Sequence, residues 1–216
     1  MSLQKESQQK KSRQQIRISL REKRRSLSLR QQRNNANGLA SRLNHYAVLK
    51  RAKRIAVYLS NDGEIDLQPT INWIWRSGKQ CYLPVLNKNK AGHLFFSPYQ
   101  NRQILVKNRF GIPEPKYSIK KMHLARQIDV ILMPLVGFDR NGNRIGMGGG
   151  FYDRTLAYLA NKGAFQRPKL IGVAHSLQEV QRLPVKEWDI AMQAIVTERE
   201  IIRVNKEPLE NAYNKL

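Results

Sequence analysis

The chain predicts an open α/β fold, a mixed sheet with helices on both faces. Three observations carry this expectation. Between residues 54 and 83 an apolar run, a helical pattern and a second apolar run follow one another, the mark of a βαβ unit with parallel strands and a right-handed crossover. The run IDVILMPLVGFD, with a strand placed at 128–136, is the strongest buried-strand signal in the chain. Asn141-Gly142 separates that run from NRIG, a type I′ hairpin signal that adds an antiparallel pair and makes the sheet mixed.

The elements follow in order. Residues 1–12 are polar and predict a disordered start. From Gln14 to about Leu29, Ile16, Ile18, Leu20, Leu27 and Leu29 alternate with Arg17, Arg21, Arg24 and Arg25, which predicts a basic N-terminal helix with one modest apolar stripe. Asn34, Asn35, Asn37 and Gly38 weaken the helical pattern before Leu39, Leu43 and Tyr46 resume it to about Leu49. RIAVYLS, 54–60, is a buried strand, and NDGEIDLQPTINWIWRSG is a loop followed by a helix that starts near Asp66 or Gln68 and stops at Gly78. KQCYLPVL, 79–86, and HLFFSPY, 93–99, are further strands, and FGIPEPK, 110–116, is a loop. After the hairpin a helix runs from Tyr152 to Asn161, closed by Gly163. KLIGVAH, 169–175, is a strand, AIVTEREII, 194–202, is a last short one, and 204–216 form a tail. Sheets of this class bind ligands beyond the carboxyl ends of their parallel strands.

At 216 residues the chain is long enough for one domain around one core, placed at 13–203. Hydrophobic residues at 41% and charged residues at 25% are ordinary for a globular protein. The charge balance is not: 39 Lys and Arg against 16 Asp and Glu leave +23, and +14 of this lies in the first 54 residues. Such a surplus attracts phosphates, nucleic acid or a polycarboxylate. Cys81 is the single cysteine, so an intrachain disulfide is impossible, as suits a reducing cytoplasm. No apolar run approaches the roughly 18 residues of a membrane span.

The stretch GNRIGMGGGFYDRTL places five glycines in nine positions at the mouth of a helix. A Walker A loop needs Lys-Ser or Lys-Thr where Phe151-Tyr152 stands, GxGxxG would need a third glycine at Phe151, and an EF-hand begun at Asp139 lacks its sixth-position glycine and twelfth-position carboxylate. What those phosphate motifs share survives. Glycines without Cβ let backbone N–H groups approach an anion at a helix start. A tight irregular turn would use glycines equally well. Asp153 favours the anion, because Mg²⁺ takes one or two carboxylates together with phosphate oxygens.

This stretch closely resembles the signature of the bacterial 5-formyltetrahydrofolate cyclo-ligase family, also called 5,10-methenyltetrahydrofolate synthetases. ISLREKRRSL, VYLSNDGEID, CYLPVL, FGIPEP, PLVGFDRNGNRIG, IGVAHSLQEV and LPVKEWDIAMQAIVTE agree in the family's order, so the resemblance spans about 13–202. It implies a single-domain, Rossmann-like open sheet. It implies ATP- and Mg²⁺-dependent conversion of 5-formyltetrahydrofolate to 5,10-methenyltetrahydrofolate, by phosphorylation of the formyl oxygen, attack of N10 and loss of phosphate. By the same resemblance ATP contacts fall on Arg17, Arg21 and Arg144, Ile145, Gly146, Met147, Gly148, Gly149, Gly150, Phe151 and Tyr152. Many relatives carry lysine at the position of Arg17. The magnesium carboxylates fall on Asp153 and Asp189. Folate contacts fall on Leu59, Glu64 and 147–151, with Phe110 as an aromatic wall. Some relatives carry Arg and Lys in the loop where this chain has Met147 and Gly149. No catalytic acid or base is assigned.

Read alone, Glu64 is a loop charge or a helix cap, and Asp189 is a surface acid; the resemblance gives both a binding role. Arg13, Arg24 and Arg25 read as a solvated basic face. His45, His93, His123 and His175 show no metal-ligand spacing. Cys81 reads as a small buried hydrophobe, and Trp73 and Trp75 as packing residues. The expected protein is a cytoplasmic monomer, and its folate substrate is expected to carry an anionic tail. The alternative suggested by the charge is a nucleic-acid-binding protein, but no base-reading module is present, and only nonspecific polyanion attraction at low salt follows.

Overall fold

The computed structural model describes residues 2–116, 118–160 and 167–204, with side chains from residue 12 onward. In chain order the helices and strands are α1 (Ser2–Arg25), α2 (Leu29–His45), α3 (Ala47–Arg51), β1 (Arg54–Ala56), α4 (Gln68–Arg76), β2 (Gln80–Leu86), β3 (Leu94–Pro98), β4 (Leu105–Lys107), β5 (Pro113–Pro115), β6 (Val130–Pro134), β7 (Gly137–Phe138), β8 (Arg144–Ile145), α5 (Phe151–Leu156), β9 (Lys169–Val173), β10 (Ala194–Val196) and β11 (Ile201–Arg203). The predicted helix end at Asn161 and stop at Gly163, and the tail beyond Val204, lie outside the described residues.

Seven strands form one α/β sheet in the order β11-β10-β9-β6-β1-β2-β3. The five inner strands are parallel, with Ile55 opposite Cys81 on one side and Val130 on the other. The sheet is mixed for a different reason from the one predicted. Its antiparallel members are the edges, β3 against β2 and β11 against β10, while β7 and β8 form a separate two-stranded ribbon. The run 194–202, expected as one strand, turns at 197–200 and returns as β11. FGIPEPK, expected as a loop, pairs Pro113–Pro115 with Leu105–Lys107.

Side-chain alternation gives the sheet two dry faces. Ile55, Leu83, Val130, Leu132, Ile171 and Val196 meet Leu39 and Leu43 of α2 and Ile71 and Ile74 of α4. Ala56, Tyr82, Ile131, Met133, Leu170 and Ile195 meet Leu156, Leu159 and Met192 on the opposite side. Helix α2 runs straight through Asn34, Asn35, Asn37 and Gly38, where the pattern weakens. Tertiary contacts override the low propensity: Asn35 Nδ2 donates to His175 Nδ1 at 2.9 Å, and a Cβ on Gly38 would lie 3.1 Å from the Glu198 carbonyl. Ser28 starts α2 with a capping box to Gln31, which is why the basic helix ends at Arg25 and not at Leu29. At its other end α1 begins at Ser2 and so includes the stretch expected to be disordered, a stretch free of Gly and Pro.

Asn141-Gly142 does lie in a hairpin, although not a two-residue type I′ turn. Residues 139–143 connect β7 to β8, and Gly142 has φ +80° while Asn141 keeps a negative φ. Buried Asp139 organises the loop, since its Oδ1 accepts from the N–H groups of Asn141 and Asn143 and its Oδ2 from Asn143 Nδ2 and the Leu183 N–H. A Cβ at Gly142 would lie 2.9 Å from the Met192 carbonyl and 2.7 Å from Val204 Cγ2. Gly78, at φ +66°, would meet nothing within 4 Å. Gly142→Ala is therefore expected to cost about 2 kcal/mol or more and Gly78→Ala about 1 kcal/mol, read as falls in urea midpoint. Equal losses would show that backbone conformation alone matters at Gly142.

Candidate active site

From β1 the chain moves outward to β2 on one side and later to β6, β9 and β10 on the other. Strands β1 and β6 therefore flank the topological switch point, where ligands bind beyond the carboxyl ends of the strands. The segment after β1 carries Leu59, Asp62 and Glu64. The segment after β6 carries the β7–β8 ribbon and the glycine loop. Helix α1 lies against both: Leu20 packs with Val136, Ile145 and Leu183, and a Cβ on Gly137 would sit 2.5 Å from Leu20 Cδ1.

The glycine loop presents open donors. Among the described residues the N–H groups of Met147, Gly148, Gly149 and Gly150 make no hydrogen bond. Gly148 at φ +99° and Gly150 at φ +65° use the left-handed region that glycine tolerates. Carbonyls, in contrast, are tied down: Arg17 Nε donates to Gly146 O at 2.8 Å and an Arg154 guanidinium NH₂ to Gly149 O at 2.5 Å. Arg13, one helical turn before Arg17, pairs with Asp189 at 2.6 Å and donates to Pro184 O at 2.7 Å. Burial first, and then the neighbouring Arg13 cation, lower the pKa of Arg17, while Asp189 opposes them. Two guanidiniums are thus held side by side at a loop of unused donors. Arg144, nearly buried, pairs with Asp153 Oδ1 at 2.5 Å and donates to the Ile190 carbonyl, linking α5 to the segment that bears Asp189.

Opposite the loop is an acidic corner. Asp62 adopts φ +54° and receives Arg21 Nε at 2.7 Å, Arg24 at 2.9 Å and Arg25. Burial alone would raise its carboxyl, but these three arginines hold it at about 2. Glu64 accepts from the Asn61 N–H at 3.1 Å and has one Arg24 nitrogen 3.9 Å from Oε1. Burial pushes it up to about 7, against the pull of Arg24 and Asn61. Tyr58 and Tyr152 both bury their hydroxyls, and each is raised by that burial and then by the nearby Glu64 charge. Phe110, half exposed at the tip of the β4–β5 hairpin, meets Phe151 edge to face with ring centroids 5.7 Å apart. A half-buried carboxylate, two tyrosines and an aromatic wall suit a flat heterocycle that carries N–H donors.

Residues 9–198 match the model of the 5-formyltetrahydrofolate cyclo-ligase family. The chain belongs to that family. It is 43% identical to the Escherichia coli K12 5-formyltetrahydrofolate cyclo-ligase over 84% of this chain and 98% of that protein. To the Haemophilus influenzae 5-formyltetrahydrofolate cyclo-ligase it is 38% identical, over 83% and 94% of the two chains. Among solved structures, the Aquifex aeolicus 5,10-methenyltetrahydrofolate synthetase superimposes with a TM-score of 0.76 at 28% identity, over 94% of this chain and 98% of the other.

Within this cyclo-ligase fold the residues expected from the resemblance separate into three groups. Arg17, Arg144, Gly146–Gly150 and Asp153 gather at the glycine loop. Glu64 and Tyr152 lie close enough for their charges to interact, Phe151 meets Phe110 beside Gly149, and Met147, half exposed, reaches from the loop with its sulfur 3.9 Å from Arg24. The third group lies further out. Arg21 turns to Asp62 and not to the loop, Ile145 is fully buried beneath α1, and Leu59 packs on the core under α2 and α4. Asp189 lies beside Arg13, with both oxygens engaged by it.

Arg13 and Arg24, expected on a solvated face, are instead buried, Arg24 with no exposed surface. The spacing of Arg13, Arg17, Arg21 and Arg24 at four, four and three residues was the available signal, because such positions share one helical face. His175, expected to be structural or at the surface, is structural: fully buried, it accepts from Asn35 and turns Nε2 to Gly63 O at 3.3 Å, and its burial lowers its pKa.

Glu64 must then tax stability. Its carboxyl is held near 7 in the fold against an unperturbed 4.5, so between those values the unfolded chain has lost a proton that the folded one retains, and stability falls as pH rises. Glu64→Gln is expected to match the parent near pH 4 and to exceed it by up to about 3 kcal/mol above pH 7. Chemical denaturation at both pH values checks this, and equal stability at pH 8 would contradict it.

Proposed function

We propose that this protein converts 5-formyltetrahydrofolate to 5,10-methenyltetrahydrofolate while ATP is hydrolysed to ADP and phosphate. The observation that carries the reading is the glycine loop with its unused N–H groups between the Arg13–Arg17 pair and the Arg144–Asp153 pair. A triphosphate supplies the acceptors those donors lack. We assign the activity to residues 13–203 as one unit, working as a monomer in the cytoplasm.

The formyl oxygen is amide-like and leaves poorly. Its attack on the γ-phosphorus, with departure of ADP, makes it a phosphate ester; N10 then bonds the formyl carbon, loses its proton, and phosphate departs. Little covalent work falls to the protein, which has to align the two substrates and neutralise charge. Arg17 fixes the loop through Gly146 O and, with Arg13, faces the phosphates. Glu64 in its ionised form receives the amino and ring N–H groups of the pterin, with Phe110 and Phe151 bounding the ring.

The donor set fits a magnesium ion that arrives with the nucleotide. Among the described residues no three His, Cys, Asp or Glu side chains gather into a cage, so phosphate and water must complete any coordination. Asp153 would hold the ion through Oδ2, which has no partner among the described residues, and Asp189 would join once phosphate draws Arg13 away. The ion supplies neutralisation of the phosphate oxygens.

Incubation with 5-formyltetrahydrofolate, ATP and Mg²⁺ is expected to give methenyl absorbance that requires all three. No turnover by the folded protein at high concentration would remove the proposal. Asp153→Asn is expected to lose turnover at least tenfold at limiting Mg²⁺ and to recover partly at saturating Mg²⁺. Wild-type activity at limiting metal would take Asp153 out of the metal site. The nucleic-acid alternative rests on the +23 charge; five of the arginines behind it (Arg13, Arg17, Arg21, Arg24 and Arg25) are engaged with acids or carbonyls of the fold itself.

A further inference from the structure

Arg24 is the one arginine of α1 with no exposed surface, and its donors are distributed in a way that the binding of ATP and folate does not by itself demand. Its Nε donates to the Asp62 carbonyl at 2.8 Å, one terminal nitrogen to Asp62 Oδ2 at 2.9 Å, and the other to the Leu135 carbonyl at 3.3 Å. The nitrogen on Asp62 is also the one 3.9 Å from Glu64 Oε1. Leu135 directly follows β6, and Asp62 and Glu64 follow β1, so a single planar group ties together the two strand ends that flank the switch point. The backbone of α1 closes on the same corner: a Cβ on Gly63 would lie 3.2 Å from the Arg24 carbonyl oxygen.

We propose that Arg24 is a positioning residue for folate, holding the 61–64 turn in place and keeping the Glu64 carboxylate ionised and aimed at the pterin. The inference rests on the folate-binding role assigned to Glu64 above. Around Glu64 the charged and titratable neighbours are Arg24 from α1, Asp62 from the same turn, Tyr58 from the segment after β1 and Tyr152 from α5, with His175 behind Gly63. Arg24 is the only cation among these at neutral pH, as burial keeps His175 neutral. Removing it leaves burial and Asp62, which favour the protonated acid, opposed only by the weaker hydrogen bond from the Asn61 N–H. A protonated Glu64 presents a donor where the pterin also presents donors.

Two measurements separate this role from general stability and from the proposed activity. In ligand-free protein, the ¹³C-carboxyl signal of Glu64 followed against pH is expected to titrate near 7 in the parent and at least one pH unit higher in Arg24→Gln. This reading needs no folate, so it stands even if the cyclo-ligase assay fails. With substrates, Arg24→Gln is expected to raise the KM for 5-formyltetrahydrofolate at least tenfold at pH 7, less at pH 9, with the KM for ATP changed less than twofold. An unmoved Glu64 titration, or equal rises in both KM values, overturns the proposal. Should Arg24→Gln not fold, Arg24→Lys decides. Lysine retains the charge but lacks the fork, so the Glu64 titration should stay within one unit of the parent while the folate KM rises several-fold; a folate KM within twofold of the parent overturns the proposal.

Discussion

Burial of the Arg24 guanidinium is the constraint from which much of the site's geometry follows. A cation out of contact with water is tolerated only when its donors are met, and the cost of leaving one unmet is several kcal/mol. Here the acceptors are drawn from two chain segments far apart in sequence, the turn after β1 and the end of β6. Meeting Arg24 therefore ties those two segments together beneath the last turns of α1. The same helical face carries Arg17 to Gly146 and Arg13 to Asp189 and Pro184, where contacts of their own hold them. Asp62, in a left-handed backbone conformation and surrounded by three arginines, is the anion that makes the arrangement electrostatically tolerable.

Two features of the site have a chemical use. Four consecutive N–H groups from Met147 to Gly150 lack a protein partner among the described residues and lie at exposed or half-exposed positions, where water meets them. Glu64 is held in surroundings that oppose its charge. Each is answered by a ligand of the opposite character, phosphate oxygens for the donors and pterin N–H groups for the carboxylate. Binding then adds what folding left out, the pattern expected of a preorganised site.

Much was legible in the chain because it depended on local chemistry. The runs at Ile55, Leu83, Val130 and Ile171 announced inner strands through β-branched and apolar content, and the five glycines announced a loop able to approach an anion. Other features were illegible for definite reasons. Pro113–Pro115 reads as a loop by composition, yet as an edge ribbon it needs few inward hydrogen bonds and proline is tolerated there. Asn141-Gly142 reads as a two-residue turn, yet a buried Asp139 organises five residues instead, and that preference depends on Leu183 from a distant segment. Arg13, Arg24 and Arg25 read as solvated because composition cannot show which acids or carbonyls will face them.

What the sequence by itself determined is the class of the fold, the parallel order of β1 and β2 about α4, the glycine loop at the start of α5, and the family. These follow from periodicity, residue size and backbone freedom over a few consecutive residues. Only the tertiary structure decided which arginines belong to the site, that Asp62 is their common partner, that Asp189 is held by Arg13, and that Glu64 lies where its charge is disfavoured. Those outcomes depend on burial and on long-range pairing, and neither quantity exists until distant segments have met.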